Sequence, residues 1–97
     1  MPHRVVFVRR ARRQLDAQIA YVAERSPAAA ERLRERVAAA QRQLADFPQS
    51  APRAVSPGTR RLVVAPYVLT YRVLGTVVEI IDVRHSRRAE RPIPDDS

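Results

Sequence analysis

Residues 57–88 constrain the fold most, because they hold three apolar segments joined by short turn sequences. β-Branched and aromatic residues recur in each segment, as is typical of strands. Gly75-Thr76 is a two-residue connection of the kind that closes a hairpin, and Gly supplies the positive φ that such turns need. The predicted strands span residues 60–65, 67–74 and 77–85. This region therefore predicts a small antiparallel sheet.

Two apolar stripes with helical periodicity predict a helix hairpin before that sheet. The helices span residues 9–25 and 27–46, and Ser26-Pro27 separates them as an N-cap followed by a favoured first helical residue. The main stripe residues are Leu15, Ile19, Val22, Leu33, Val37 and Leu44. A β-branched segment at residues 3–8 is predicted as a first strand. The fold class is α+β, in the order β-α-α-β-β-β, with an antiparallel sheet packed on the N-terminal helix hairpin.

The length of 97 residues predicts a single domain, 1–97, with a polar, flexible tail at 89–97. The chain has no Cys, which excludes disulfides and thiolate metal sites. We expect no metal and no cofactor. No segment approaches the roughly 20 apolar residues of a membrane span, and the first residues lack the apolar core of a signal peptide. These features predict a cytoplasmic protein.

The charge is strongly positive, at +8, and all 18 basic residues are Arg. Coding bias toward Arg and selection for forked guanidinium donors both explain such a composition. A positive surface attracts nucleic acid or an acidic protein and accelerates their encounter. Charge alone does not distinguish between these two classes of partner.

Short motifs along the chain occur in a recognisable order. Residues 7–16 form a strand and helix start, residues 19–30 a hairpin with Ser26-Pro27 at its turn, and residues 44–48 an exit reading Leu-Ala-Asp-Phe-Pro. Residues 67–73 and 83–88 end in Tyr-Arg-Val and Val-Arg-His-Ser-Arg-Arg. Together the motifs resemble the RelE/ParE superfamily of toxins from bacterial type II toxin–antitoxin pairs, over nearly the whole chain. The long hairpin resembles the ParE-like branch.

The resemblance implies one of two activities. RelE-like members cut messenger RNA on the ribosome, whereas ParE-like members inhibit DNA gyrase and are not known to catalyse a reaction. RNA-cleaving relatives carry Arg directly after the aromatic residue that opens the middle strand, and here Val68 follows Tyr67. They also often end their site with a Tyr, but no Tyr follows Tyr71. The resemblance thus implies a gyrase inhibitor without catalytic residues.

The residues expected to bind the target are basic and lie in the second half of the chain: Arg61, Arg72, Arg84, His85, Arg87 and Arg88. In the alternative, a ribosome-dependent endoribonuclease, the catalytic set is Arg61, Arg72, Arg84 and His85, with His85 able to donate a proton near neutral pH. Structural roles remain open for the same residues. Arg72 can pair with Glu79 or Asp82, and His85 can bond to backbone or to a nearby acid.

The resemblance also implies a cognate antitoxin as partner, acidic and partly disordered, folding against the helix hairpin and the sheet. Operator DNA is then reached only through the antitoxin. The expected antitoxin-binding residues are Leu15, Ile19, Val22, Leu33 and Val37. A third interpretation, a basic nucleic-acid-binding module without a toxin role, has little support, because five aromatic residues offer few stacking platforms.

Overall fold

The computed structural model describes residues 2–88 and has the predicted element order. The elements are β1 (Arg4–Phe7), α1 (Arg9–Arg25), α2 (Pro27–Asp46), β2 (Arg60–Val64), β3 (Tyr67–Leu74) and β4 (Val77–His85), followed by a 3-10 turn (Ser86–Arg88). Both helices and the last two strands have the predicted bounds. β1 and β2 are slightly shorter than predicted, β2 because the chain turns at Ala65-Pro66. The predicted flexible tail lies outside the described residues.

The four strands form one sheet in the order β1-β4-β3-β2. β2, β3 and β4 pair antiparallel, but β1 lies parallel to β4. The sheet is therefore mixed: the predicted antiparallel pairing holds for β2, β3 and β4, and β1 adds a parallel pair. The physical reason is the long connection through both helices, which lets the chain return to the sheet in the same direction.

One face of the sheet packs on both helices to form the core. Its residues include Leu69, Tyr71, Val78, Ile80, Leu15, Leu33, Val37 and Leu44, each at most 5% exposed. Burying a large apolar side chain contributes about 1.5–3 kcal/mol to folding. Three residues expected to bind an antitoxin, Leu15, Leu33 and Val37, thus serve the core and keep little surface for a partner. Ile19 and Val22 are half-buried at its margin.

The hairpin boundary at Ser26 is confirmed in detail. Ser26 is the single residue between the helices, and its Oγ accepts a hydrogen bond from the backbone N–H of Ala29 at 3.1 Å. Pro27 occupies the first turn of α2. Between β3 and β4, Gly75 adopts φ 59°, as the predicted tight turn requires. Within residues 2–88, neither helix combines the length and apolarity needed to cross a membrane.

Candidate target-binding and antitoxin-binding surfaces

The sheet face that points away from the helices carries three of the predicted target-binding arginines. Because side chains alternate along a strand, Arg61, Arg72 and Arg84 lie opposite to the core residues. Arg61 is opposite Thr70, and Arg84 is opposite Val68. Arg61 and Arg84 are two strands and two residues apart, so their Cα atoms are separated by about 12 Å. The structure places all three on one outer face without clustering their backbones.

Arg72 pairs across the hairpin with Glu79, its register partner on β4. The Arg72 Nη2 and Nε atoms lie 2.6 and 2.7 Å from Glu79 Oε1. The expectation of a cross-strand ion pair is confirmed, with Glu79 as the acid rather than Asp82. Because the Arg72 side chain is 47% exposed, solvent screening limits such a pair to about 1 kcal/mol or less.

Arg84 is engaged by a buried carboxylate. Its Nε lies 2.8 Å from Asp82 Oδ2, and the Arg84 side chain is only 14% exposed. Asp82 Oδ1 also accepts a hydrogen bond from Gln14 Nε2 at 3.3 Å and lies 3.6 Å from Arg10 Nη2. A buried carboxylate is tolerated when its charge is compensated in this way. Arg84 therefore forms a structural ion pair, and only a small part of its side chain is accessible to a partner.

The start of α1 completes the edge of β4 where β1 stops. β1 pairs only with Val77 to Ile80, which leaves the edge of β4 uncovered beyond that point. There the Gln14 Oε1 atom accepts a hydrogen bond from Val83 N–H at 2.8 Å, and Arg10 Nη2 donates to the Ile81 carbonyl at 2.9 Å. Sheet edges need such partners for their backbone groups. Two α1 side chains thus replace a strand.

Sequence reasoning did not identify Arg10, Gln14 or Asp82 as a network. One signal was available: α1 opens with Arg9 and Arg10 and has no acidic residue in its first turn. Cations there are unfavourable to the helix dipole by a few tenths of a kcal/mol. The bond of Arg10 to the β4 backbone and its proximity to Asp82 supply the compensating interaction.

His85 lies on the other side of the sheet from the three arginines. Its register partner is Tyr67, a core residue, and the two rings meet edge-on with centroids 6.0 Å apart. His85 Nδ1 accepts a hydrogen bond from the Arg87 backbone N–H at 3.3 Å. The interpretation that His85 bonds to backbone at a strand end is thus confirmed, and the rim that would join it to Arg61, Arg72 and Arg84 does not form. Alternation along β4 is the reason.

The 3-10 turn that follows β4 carries the last two predicted target-binding residues, Arg87 and Arg88. The side chain of Arg87 is exposed. The turn is held against the sheet by a hydrogen bond from Ser86 N–H to the Pro66 carbonyl at 2.8 Å. Arg87 is therefore an accessible cation at the end of β4.

A groove of about 430 Å³ runs between the two helices. Ile19, Ala20 and Leu15 line it from α1, and Val37 and Gln41 from α2. Arg12, Asp16 and Arg34 also line it, so it is an apolar strip flanked by both charges. Two predicted antitoxin-binding residues, Val22 and Leu33, are not in its lining. Within residues 2–88, no three His, Asp or Glu side chains come together as metal ligands; the expectation of no metal or cofactor remains a prediction.

Comparisons with known proteins agree with one another. Residues 5–90 match the family described as ParE toxin of type II toxin–antitoxin system, parDE. Toxin RelE2 of Caulobacter vibrioides is 36% identical over 84 residues, covering 87% of this chain and 96% of that protein. Toxin RelE1 of the same organism is 36% identical over 80 residues, covering 78% and 85%. A solved chain titled Chromosomal ParDE TA system from P. aeruginosa superimposes with a TM-score of 0.74 at 23% identity, covering 86% and 95%.

Proposed function

Because the chain belongs to the ParE toxin family of type II toxin–antitoxin systems, we propose that it inhibits DNA gyrase in the cytoplasm and is neutralised by a cognate acidic antitoxin. In this proposal the toxin binds the enzyme and its DNA, stabilises the cleaved-DNA complex or blocks supercoiling, and supplies no chemistry of its own. The chain is a type II toxin. Gyrase as its target is the proposed part.

The observation that carries the proposal is Val68. Val68 directly follows Tyr67, at the position where RNA-cleaving members of the superfamily carry Arg. Its side chain is only 5% exposed. RNA cleavage requires groups that remove a proton from the 2′-hydroxyl, protonate the leaving oxygen and stabilise the developing charge. A buried aliphatic side chain does none of these.

The neighbouring charges support the same conclusion. Arg84 lies opposite Val68 and pairs with Asp82, and Arg72 pairs with Glu79. A guanidinium that already faces a carboxylate stabilises additional negative charge less well, because the carboxylate repels that additional charge. This outer face is better suited to binding a partner than to catalysing phosphodiester cleavage.

For the antitoxin we propose the groove between α1 and α2 as a docking position. Its apolar strip offers Ile19 and Ala20 to a partner helix, and the net charge of +8 suits an acidic partner. A helix laid into a groove is a common way to bind a segment that folds on association. The solved ParDE system has the same fold, which is consistent with an antitoxin partner.

The test is supercoiling of relaxed plasmid by purified gyrase, with the full chain titrated in and the antitoxin then added. We expect inhibition, accumulation of linear cleaved DNA, and reversal by antitoxin. Arg87→Glu, in the exposed 3-10 turn, should raise the inhibitory concentration at least about tenfold, or about 1.4 kcal/mol. Arg32→Glu, equally exposed on α2, is the matched control and should retain inhibition. Folded protein that has no effect in large excess would overturn the proposal.

The second candidate, a ribosome-dependent endoribonuclease, is favoured by one observation, the names of the relatives RelE2 and RelE1. Its test is cleavage of messenger RNA on programmed ribosomes. Activity there that is lost in Arg61→Gln, with gyrase unaffected by the wild-type chain, would replace the gyrase proposal.

A further inference from the structure

A small cationic pocket lies at the margin of the outer sheet face and shares Arg72 with it. It is formed where the loop before β2 meets the sheet, has a volume of about 180 Å³, and is lined by Arg53, Arg60 and Arg72 together with Gln49 and Thr59. Among residues 2–88, no acidic side chain lines it. Its volume corresponds to about six water molecules at liquid density, which suits one small anion.

The loop that builds the pocket is well fixed. Arg53 and Arg60 are paired directly across an isolated β-bridge. The Ala54 N–H donates to the Thr59 carbonyl at 2.9 Å, and the Arg61 N–H donates to the Pro52 carbonyl at 2.9 Å. The Thr59 hydroxyl closes the turn on the Ser56 carbonyl at 2.6 Å. The pocket wall is therefore held by hydrogen bonds within the loop and to the start of β2.

The charges in the pocket are arranged unfavourably for the protein alone. Like charges directly opposite one another on paired strands are destabilising, and Arg53 faces Arg60 in this way. Arg60 Nη1 donates to the Ala51 carbonyl at 2.8 Å, which fixes its position without neutralising it. Arg72 has Glu79 as its counter-ion. Among the described residues, Glu79 compensates one of the three guanidinium groups, so two positive charges remain at the pocket.

We propose that this pocket binds a phosphate group of a nucleic-acid backbone. A carboxylate carries one negative charge and fits one guanidinium fork, whereas a phosphate accepts hydrogen bonds from several forks at once. Gln49 adds a neutral donor on the same wall. The net charge of +8 attracts a polyanion to this surface. The inference goes beyond the choice of target, because gyrase and the ribosome both hold nucleic acid.

The test measures binding of a short single-stranded DNA oligonucleotide to the full chain over a range of salt concentrations, without gyrase or ribosomes. Arg53→Gln removes one exposed cation of the pocket and should weaken binding about tenfold. It should also reduce the slope of log affinity against log salt by about 0.7, the value for one contact to a single-stranded backbone. Arg32→Gln makes the same charge change on α2, away from the pocket. Arg32→Gln should weaken binding no more than about twofold, because it changes only the long-range, salt-screened electrostatic attraction.

A second measurement identifies the site directly. Inorganic phosphate added to ¹⁵N-labelled protein should shift the amide resonances of Gly58 and Thr59 and the guanidinium resonances of Arg53 and Arg60. Equal weakening by Arg53→Gln and Arg32→Gln would overturn the proposal, because binding would then follow net charge alone. A protein that binds inorganic phosphate but not the oligonucleotide, or that binds a glutamate-rich peptide in preference to the oligonucleotide, would overturn the assignment to nucleic acid. These measurements contain no gyrase, so they can be interpreted even if the protein does not inhibit gyrase.

Discussion

At the scale of single residues, burial separates two aspartates of identical chemistry. Asp82 on β4 has a side chain only 2% exposed and is surrounded by Arg84, Arg10 and Gln14. Asp16 on α1 is 59% exposed and pairs with Arg12 one helical turn away. Asp82 links α1 to the edge of β4, whereas Asp16 lies on the exposed surface of α1. Their contributions to stability should differ accordingly.

We predict that Asp82→Ala lowers the free energy of unfolding by about 3 kcal/mol, because it removes the buried carboxylate that Arg84 and Arg10 contact. The control Asp16→Ala should lower it by no more than about 0.5 kcal/mol. Urea denaturation of the three proteins measures both values. Similar losses in the two variants would show that the Asp82 network does not hold the molecule together.

Tyr71 provides a prediction for alkaline pH. Burial raises the pKa of its phenol above the ordinary value of 10.0, while the nearby Ala51 backbone and the charge of Arg60 lower it by less. The Ala51 group approaches the hydroxyl without hydrogen-bond geometry, and within residues 2–88 that hydroxyl has no hydrogen-bond partner. The folded protein therefore keeps this proton to a higher pH than the unfolded chain does.

Stability should consequently fall as pH rises above about 10, by at most about 1.4 kcal/mol per pH unit for this group, because the unfolded state then binds fewer protons. Tyr71→Phe should remove this part of the fall and cost little at neutral pH, since the lost hydroxyl is unpaired. Tyr21→Phe makes the same change at an exposed position and is the control. Parallel profiles for all three proteins would contradict the prediction. Thermal unfolding between pH 8 and about 11 gives the comparison.

At the scale of elements, the helix hairpin depends on one residue. Ser26 ends α1 and caps α2, so no longer loop is present that could adjust if the geometry of this turn changed. Its Oγ satisfies one of the backbone N–H groups that every helix leaves unpaired at its start. The geometry of the groove between the helices follows from this turn.

We predict that Ser26→Ala destabilises the protein by about 1 kcal/mol, the usual value for loss of an N-cap. Ser50→Ala is a suitable control, because Ser50 is exposed and its side chain accepts an exposed hydrogen bond from Gln43 Nε2. That change should stay within about 0.5 kcal/mol. Equal melting temperatures for the two variants would mean that Pro27 alone sets the helix start.

At the scale of the whole molecule, two candidate surfaces lie on opposite sides. The groove lies between the helices, which cover one face of the sheet, while Arg61, Arg72 and Arg84 occupy the other face. Separate surfaces allow the toxin to bind its target and its antitoxin through different residues. Mutations should then affect the two activities independently.

We predict that Ile19→Glu weakens antitoxin binding by at least about tenfold, because a carboxylate in the groove repels an acidic partner and must be desolvated. Inhibition of the target should persist. Arg87→Glu should show the reverse pattern, with antitoxin binding retained and inhibition weakened at least about tenfold. Calorimetry with the antitoxin and the supercoiling assay separate the two effects. Loss of both activities in either variant, with the fold intact, would show that the surfaces overlap.

The extent of the helices and of β3 and β4 could be read from the chain itself, because caps, turns and periodicity are local. Ser26-Pro27 and Gly75-Thr76 mark their boundaries whatever the rest of the molecule does. The tertiary structure alone decided the placement of Asp82. By simple alternation Asp82 shares a face with Ile80, inside the core, but β4 carries one extra residue at Ile81, so Thr70 faces Asp82 while Tyr71 faces Ile80.

That bulge reverses the alternation of β4, so that Val83 enters the core and Asp82 meets Arg84 and α1. The register that starts at the Gly75-Thr76 turn, ahead of the bulge, pairs Arg72 with Glu79. The cationic pocket and the burial of Leu33 depend likewise on contacts between distant segments. The sequence by itself determined where each element begins, since those signals act over a few residues. Only the tertiary structure decided which charges meet, because register is fixed by pairing between strands and not within them.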